Sequence, residues 1–138
     1  MSLYDKANET ANYIKSKIKN IPDTAIVLGS GLGMFANEIE KELVLDYKDI
    51  PNFPISTVPG HNGKLIFGKI GEKKIIAMQG RFHLYEGYGV EQVTFPVRVF
   101  QLLNVKKYKA NVSVQVNSNK NKNKYILNQE YNSENGNI

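Results

Sequence analysis

Arg81, His83 and Tyr85 stand at alternate positions in the run Gln79-Gly80-Arg81-Phe82-His83-Leu84-Tyr85-Glu86-Gly87-Tyr88, directly after a strongly apolar stretch. In an extended backbone, alternate side chains point to the same side, so the spacing lets a guanidinium, an imidazole and a phenol share one ligand. The first two suit an anion; the phenol suits a neighbouring hydroxyl. Upstream, Ala25-Ile26-Val27-Leu28 runs into Gly29-Ser30-Gly31-Leu32-Gly33. This reads as a strand entering a glycine-rich turn whose N–H groups can face an oxyanion, with the Ser30 hydroxyl as a further donor. The two segments together could cradle one phosphate. Between them lies Ile50-Pro51-Asn52-Phe53-Pro54-Ile55-Ser56-Thr57-Val58-Pro59-Gly60-His61, in which the Pro-Gly turn leaves His61 on a loop.

Each motif alone has a plainer reading. The glycine-rich turn lacks the Lys of a P-loop and the last glycine of a dinucleotide fingerprint, and by itself it reads first as a tight turn packed on a helix. Arg81 and His83 read equally well as a solvated pair, Tyr85 as the edge of a core, and His61 as a surface histidine. Glu86 could act as a general base, or it could orient the Arg81 guanidinium as a carboxylate partner.

The elements that must position these residues follow from periodicity. Leu3, Ala7, Ala11, Ile14 and Ile18 recur at helical spacing, and Ser2 with Asp5 makes a capping pair, so residues 3–19 are predicted helical. Residues 24–28 form a short apolar run suited to a buried strand, with a short helix over 32–39. A strand is expected around Leu43-Val44-Leu45, followed by an extended segment over 51–59, where three prolines leave little ladder hydrogen bonding and suit a site wall. Residues 64–70 and 73–78 read as strands joined through Gly71-Glu72 as a type II′ hairpin. Residues 90–103 read as a helix with Val93, Val97 and Phe100 on one face and a bend at Pro96. Beyond Lys107 only the alternation at Val112, Val114 and Val116 suggests structure, at most one edge strand, and disorder is expected from Asn117. The chain therefore divides into residues 1–105, which hold the core, and a divergent Asn/Lys-rich tail over 106–138, of which residues 109–138 are expected to add little stability.

The chain has 138 residues, 41% of them hydrophobic, and a formal net charge of +5. From Lys106 onward there are six Lys and two Glu, which leaves a net +1 for residues 1–105. The basicity belongs to the tail, and no Arg cluster with interleaved aromatics marks a nucleic-acid surface. With no Cys and two His there is no disulfide framework and no expected metal site. No apolar run approaches a bilayer span and no leader pattern opens the chain, so a cytoplasmic protein without membrane or nucleic-acid partners is expected.

The glycine-serine turn, the Pro-Gly-His loop, the Arg-Phe-His-Leu-Tyr-Glu-Gly-Tyr run and the later Val93-Thr94-Phe95-Pro96-Val97-Arg98-Val99 occur in an order that resembles the trimeric purine nucleoside phosphorylases of the inosine/guanosine type. The resemblance covers about residues 22 to 105. It implies an α/β fold with a mixed β-sheet flanked by helices, here the amino-terminal portion with the carboxy-terminal half missing. It also implies a pentosyltransferase that phosphorolyses purine nucleosides or deoxynucleosides to free purine and pentose 1-phosphate. Phosphate is then a co-substrate, no cofactor is needed, and the family assembles as a homotrimer.

By that resemblance Ser30, His61, Arg81 and His83 hold phosphate, with His83 and His61 as the catalytic pair. Tyr85 contacts ribose and Glu86 supports from behind. The family's purine-binding residues, a further phosphate-binding Ser and a His near the ribose follow the helix and have no counterpart here. The divergent ending is what an AT-rich gene gives when read out of frame, so a truncated product is expected. Two functions stay open: a phosphorylase, or a non-catalytic remnant that at most binds phosphate or associates with other chains. The related methylthioadenosine phosphorylases are a lesser alternative.

Overall fold

The structure, a computed structural model, describes residues 1–28, 33–55, 63–80, 89–117 and 122–132, with 33–34 and all residues from 110 onward as backbone alone. Helix α1 spans Leu3–Lys17 and opens on the expected capping box. The Asp5 N–H donates to Ser2 Oγ at 3.0 Å, and the Ser2 N–H reaches Asp5 Oδ2 at 3.4 Å. Its buried face is Ala7, Thr10, Ala11 and Ile14, and the helix stops at Lys17 because Ile18 is already extended.

Strands β1 (Thr24–Leu28), β2 (Glu40–Asp46), β3 (Lys64–Ile70) and β4 (Lys73–Gln79) form one sheet with β5 (Lys107–Asn117) and β6 (Lys122–Asn132), in the order β2-β3-β4-β1-β5-β6. β1 is parallel to both β4 and β5, and the other pairings are antiparallel, so the sheet is mixed. Gly71, at φ +58°, makes the β3–β4 turn in the first of its two positions, as glycine there predicts.

Alternation along the strands divides the core in two. Ala25, Val27, Leu45, Leu65, Phe67, Ile76 and Met78 pack with Ala7, Ala11 and Ile14 of α1 and with helix α3 (Val90–Leu102). Leu28, Ile66, Ile75 and Ala77 pack instead with Phe35, Ala36 and Ile39 of the short helix α2 (Gly33–Glu38) and its end. Helices thus cover both faces of the inner strands, which explains why these strands read as continuous apolar runs.

Within α3 the buried residues are Phe95, Pro96, Val99 and Phe100, while Val93 packs at the margin and Val97 is half-buried. The buried stripe is therefore rotated from the expected Val93–Val97–Phe100 line, with Phe95 and Val99 buried in the cluster they share with the sheet. α3 ends in a Schellman motif. Asn104 takes φ +62°, the Val105 N–H donates to Phe100 O at 2.9 Å, and the Asn104 N–H donates to Gln101 O at 3.1 Å. The chain then returns to β1, where Asp23 O accepts from the N–H groups of Lys106 (2.7 Å) and Lys107 (3.0 Å).

From Lys107 the structure has two strands where the sequence suggests at most one. β5 and β6 make a long antiparallel hairpin, with Val112 opposite Leu127 and Val114 opposite Tyr125. The physical reason lies in pairing. Composition weighs residues one at a time, whereas a ladder is set by the register between two segments. Among the described residues no helix is long and apolar enough to cross a membrane.

The junction of β1 and β5 carries a pH dependence. The Thr24 hydroxyl donates to Asp23 Oδ1 at 3.0 Å, and this bond holds the Asp23 carboxyl below its ordinary range, helped by the charges of Lys73 (3.5 Å) and Lys107 and opposed by partial burial. A lowered folded pKa stabilises the protein above the unfolded pKa, near pH ~4, and that contribution is lost as pH falls through the folded value. Asp23→Asn is therefore expected to flatten the acid limb of a stability–pH profile. The loss near neutrality should stay below ~1 kcal/mol, because the carboxylate is solvent-screened; a Tm series from pH 3 to 7 checks it.

Candidate active site

The parallel pairing of β1 and β4 sets Leu28 beside Gln79, and the antiparallel pairing of β4 with β3 sets Gln79 beside Lys64. Lys64 in turn pairs with Asp46 at the end of β2. One end of the sheet therefore issues three segments: residues 29–32 after β1, 56–62 before Gly63, and 81–88 after Gly80. In open α/β sheets, the carboxyl ends of adjacent parallel strands are where ligands sit, because connections diverge there and leave a crevice lined by loop residues. The elements separated by most of the sequence between Ser30 and Arg81 thus meet at one edge of the fold.

The residues singled out by sequence, Ser30, His61, Arg81, His83, Tyr85 and Glu86, lie outside the described residues. What the structure describes is the framework that flanks them. The 51–59 segment, expected to be extended throughout, is a compact turn in its first part. Residues Tyr47–Asp49 form a 3-10 turn, the Ile50 N–H donates to Tyr47 O (3.1 Å), the Phe53 N–H donates to Ile50 O (3.2 Å), and Asn52 takes φ +63°. Side chains tie this turn to α1 in place of a ladder. The buried Thr10 hydroxyl donates to Pro51 O at 2.6 Å, and Asn52 Nδ2 donates to Glu9 Oε1 at 2.7 Å.

Tyr47 sits at the centre of this framework and is 3% exposed. Its N–H donates to Gly63 O at 3.0 Å, and its hydroxyl donates to Gly80 O. The ring lies so close to Gly63 that a Cβ there would overlap it, and a Cβ on Gly80 would stand 3.2 Å from Gly63 Cα. Gly80 also has φ +106°, a conformation that only glycine holds readily. Phe53 packs on Tyr47 with ring centroids 5.0 Å apart, and Phe95 of α3 meets Phe53 edge-on at 6.3 Å. Burial, with the neighbouring Tyr108 adding to it, pushes the Tyr47 phenol well above its usual range, so it stays protonated and remains a donor at neutral pH.

Sequence reasoning missed Tyr47. Its burial was legible as a continuation of the Leu43–Leu45 alternation, but its two glycine partners come from distant segments that no local pattern connects.

No protein-family model matches the chain. Among curated proteins it is 51% identical over 102 residues to purine nucleoside phosphorylase 1 of Bacillus subtilis, a match covering 74% of this chain and 38% of that protein. Among solved structures it superposes on the purine nucleoside phosphorylase of Schistosoma mansoni in complex with acetate. That match has a TM-score of 0.72 and 40% identity, over 77% of this chain and 39% of the other. The same organism's enzyme in complex with inosine gives a TM-score of 0.71 and 36% identity, over 83% and 40% of the two chains. The first three quarters of this chain are homologous to purine nucleoside phosphorylases, and the chain spans about two fifths of their length.

Proposed function

We propose that this chain carries the phosphate-binding part of a purine nucleoside phosphorylase site, assembled from Ser30, His61, Arg81 and His83, with Tyr85 against the ribose and Glu86 behind Arg81. The observation that carries the reading is the pairing of Leu28 with Gln79 and of Gln79 with Lys64, which opens all three motif-bearing segments at one end of the sheet. In the reaction, a phosphate oxygen bonds to the anomeric carbon of a purine nucleoside while the C–N bond to the base breaks, and the bonding electrons leave with the purine. The sugar gains positive charge on the way. A phosphate held beneath it by Arg81, His83 and the turn N–H groups supplies the stabilising negative charge and the in-line nucleophile, without a covalent enzyme intermediate or a cofactor. The inosine complex of the Schistosoma mansoni homologue supports a nucleoside as the second ligand. A homotrimeric assembly and a cytoplasmic location belong to the same reading.

A second reading is a chain that binds phosphate or associates with other chains without turning over substrate. The match to curated relatives ends with the first three quarters of the chain, which favours this reading for the isolated protein. Both readings share the phosphate site, and a titration with inorganic phosphate followed by NMR tests it. Amide shifts are expected together in residues 29–33 and 81–83. Shifts confined to residues 106–138 would instead mean attraction to the lysine-rich segment and would remove the site.

A further inference from the structure

We propose that Tyr47 is a positioning residue of this site: its hydroxyl bond to Gly80 O and its ring against Gly63 fix, relative to one another, the backbones from which residues 81–88 and 56–62 depart. The inference rests on the phosphate-site reading above and adds to it the part that sets the spacing of its two histidine-bearing segments. Gly80 immediately precedes Arg81, and Gly63 follows His61 by two residues, so each anchor lies within a residue or two of a proposed phosphate ligand. The bracket combines packing with hydrogen bonding. Tyr47 holds Gly63 through its own N–H, and the Gly63 Cα in turn abuts Gly80, whereas the phenol is the contact that reaches the Gly80 carbonyl. Phe53 packs on the ring and is itself backed by Phe95 of α3, so the hydroxyl is held in place without a large entropy cost at each binding event. Two glycines make this possible, because a side chain at Gly63 would displace the ring.

Tyr47→Phe keeps the ring and the amide bond to Gly63 and removes the bond to Gly80. Ile75→Val, on the opposite face of the sheet, serves as a control that lowers stability without touching the bracket. The full chain and both variants are titrated with inorganic phosphate, and amide hydrogen exchange is read at Gly63, Lys64 and Gly80. Tyr47→Phe is expected to weaken phosphate by about fivefold, the ratio for one neutral hydrogen bond worth about 1 kcal/mol. It should also speed exchange at those three amides, while Ile75→Val stays within about twofold of the parent on both counts. Equal phosphate affinity in Tyr47→Phe and parent, or the same weakening in Ile75→Val, overturns the proposal. If the parent itself binds no phosphate, the functional reading fails separately. The bracket then stands on faster exchange confined to Tyr47→Phe, and falls if exchange is unchanged.

Discussion

Purified residues 1–138 are expected to phosphorolyse inosine at no more than about a thousandth of a typical enzyme turnover of ~10 per second. The argument is one of charge. As the glycosidic bond breaks, electrons collect on the departing purine, and a catalyst must stabilise that charge as well as the positive sugar. By the family resemblance, the residues that would contact the purine follow α3, and beyond Lys107 the chain has β5 and β6 instead. Losing a preorganised donor to developing charge costs roughly 3–4 kcal/mol, or about a hundred- to a thousandfold, and the further phosphate-binding Ser that the resemblance implies after the helix, without a counterpart here, adds to it. A coupled assay of hypoxanthine release, with the phosphate titration run on the same sample, separates binding from turnover. Turnover within about tenfold of ~10 per second that Arg81→Ala abolishes would show that β5–β6 or a partner chain supplies the base site.

Phe67→Ala is expected to destabilise the fold by about 3–5 kcal/mol, a large part of the total stability of a small domain. Phe67 is fully buried in the inner strand β3, between Leu43 of β2 and Ile76 of β4, and faces the cluster shared with α1 and α3. Truncation leaves a cavity bounded by sheet on one side and by two helices on the other, and paired strands cannot close inward without breaking register. The thermal midpoint should fall by on the order of 15 °C, while Phe67→Leu, which retains most of the volume, should lose less than half as much. Near-equal midpoints for the two variants would mean that the core relaxes around the gap.

The sequence made the local elements legible and the non-local ones only in part. The Ser2–Asp5 box, the run at residues 24–28 and the Gly71 hairpin carry their geometry in adjacent residues, and the structure has them close to where periodicity placed them. The hairpin after Lys107 was not legible, because it depends on pairing Val112 with Leu127 and on lying beside β1, relations that composition does not express. Of the site, the motif residues are proposed from type and order alone and lie outside the described residues. The Tyr47 bracket was not legible, since a buried tyrosine after a strand is ordinary until Gly63 and Gly80 are known to meet it.

The place of β1 in the sheet has a consequence for how the chain acquires its structure during synthesis. β2, β3 and β4 are neighbours in both sequence and space, so this meander can close as soon as it leaves the ribosome. β1 is made before all of them, yet its Ala25 partners Ile76 and its Thr24 partners Lys107. The earliest strand therefore waits for β4 before one of its edges can pair, and its other edge stays open until α3 has carried the chain back across the sheet and β5 can flank it. Contacts this distant in sequence slow folding, and the open edge of an apolar strand can associate with other chains in the interval. Nascent chains stalled before Lys107 should accordingly engage chaperones through residues 24–28, and lengthening the chain past β5 should release them.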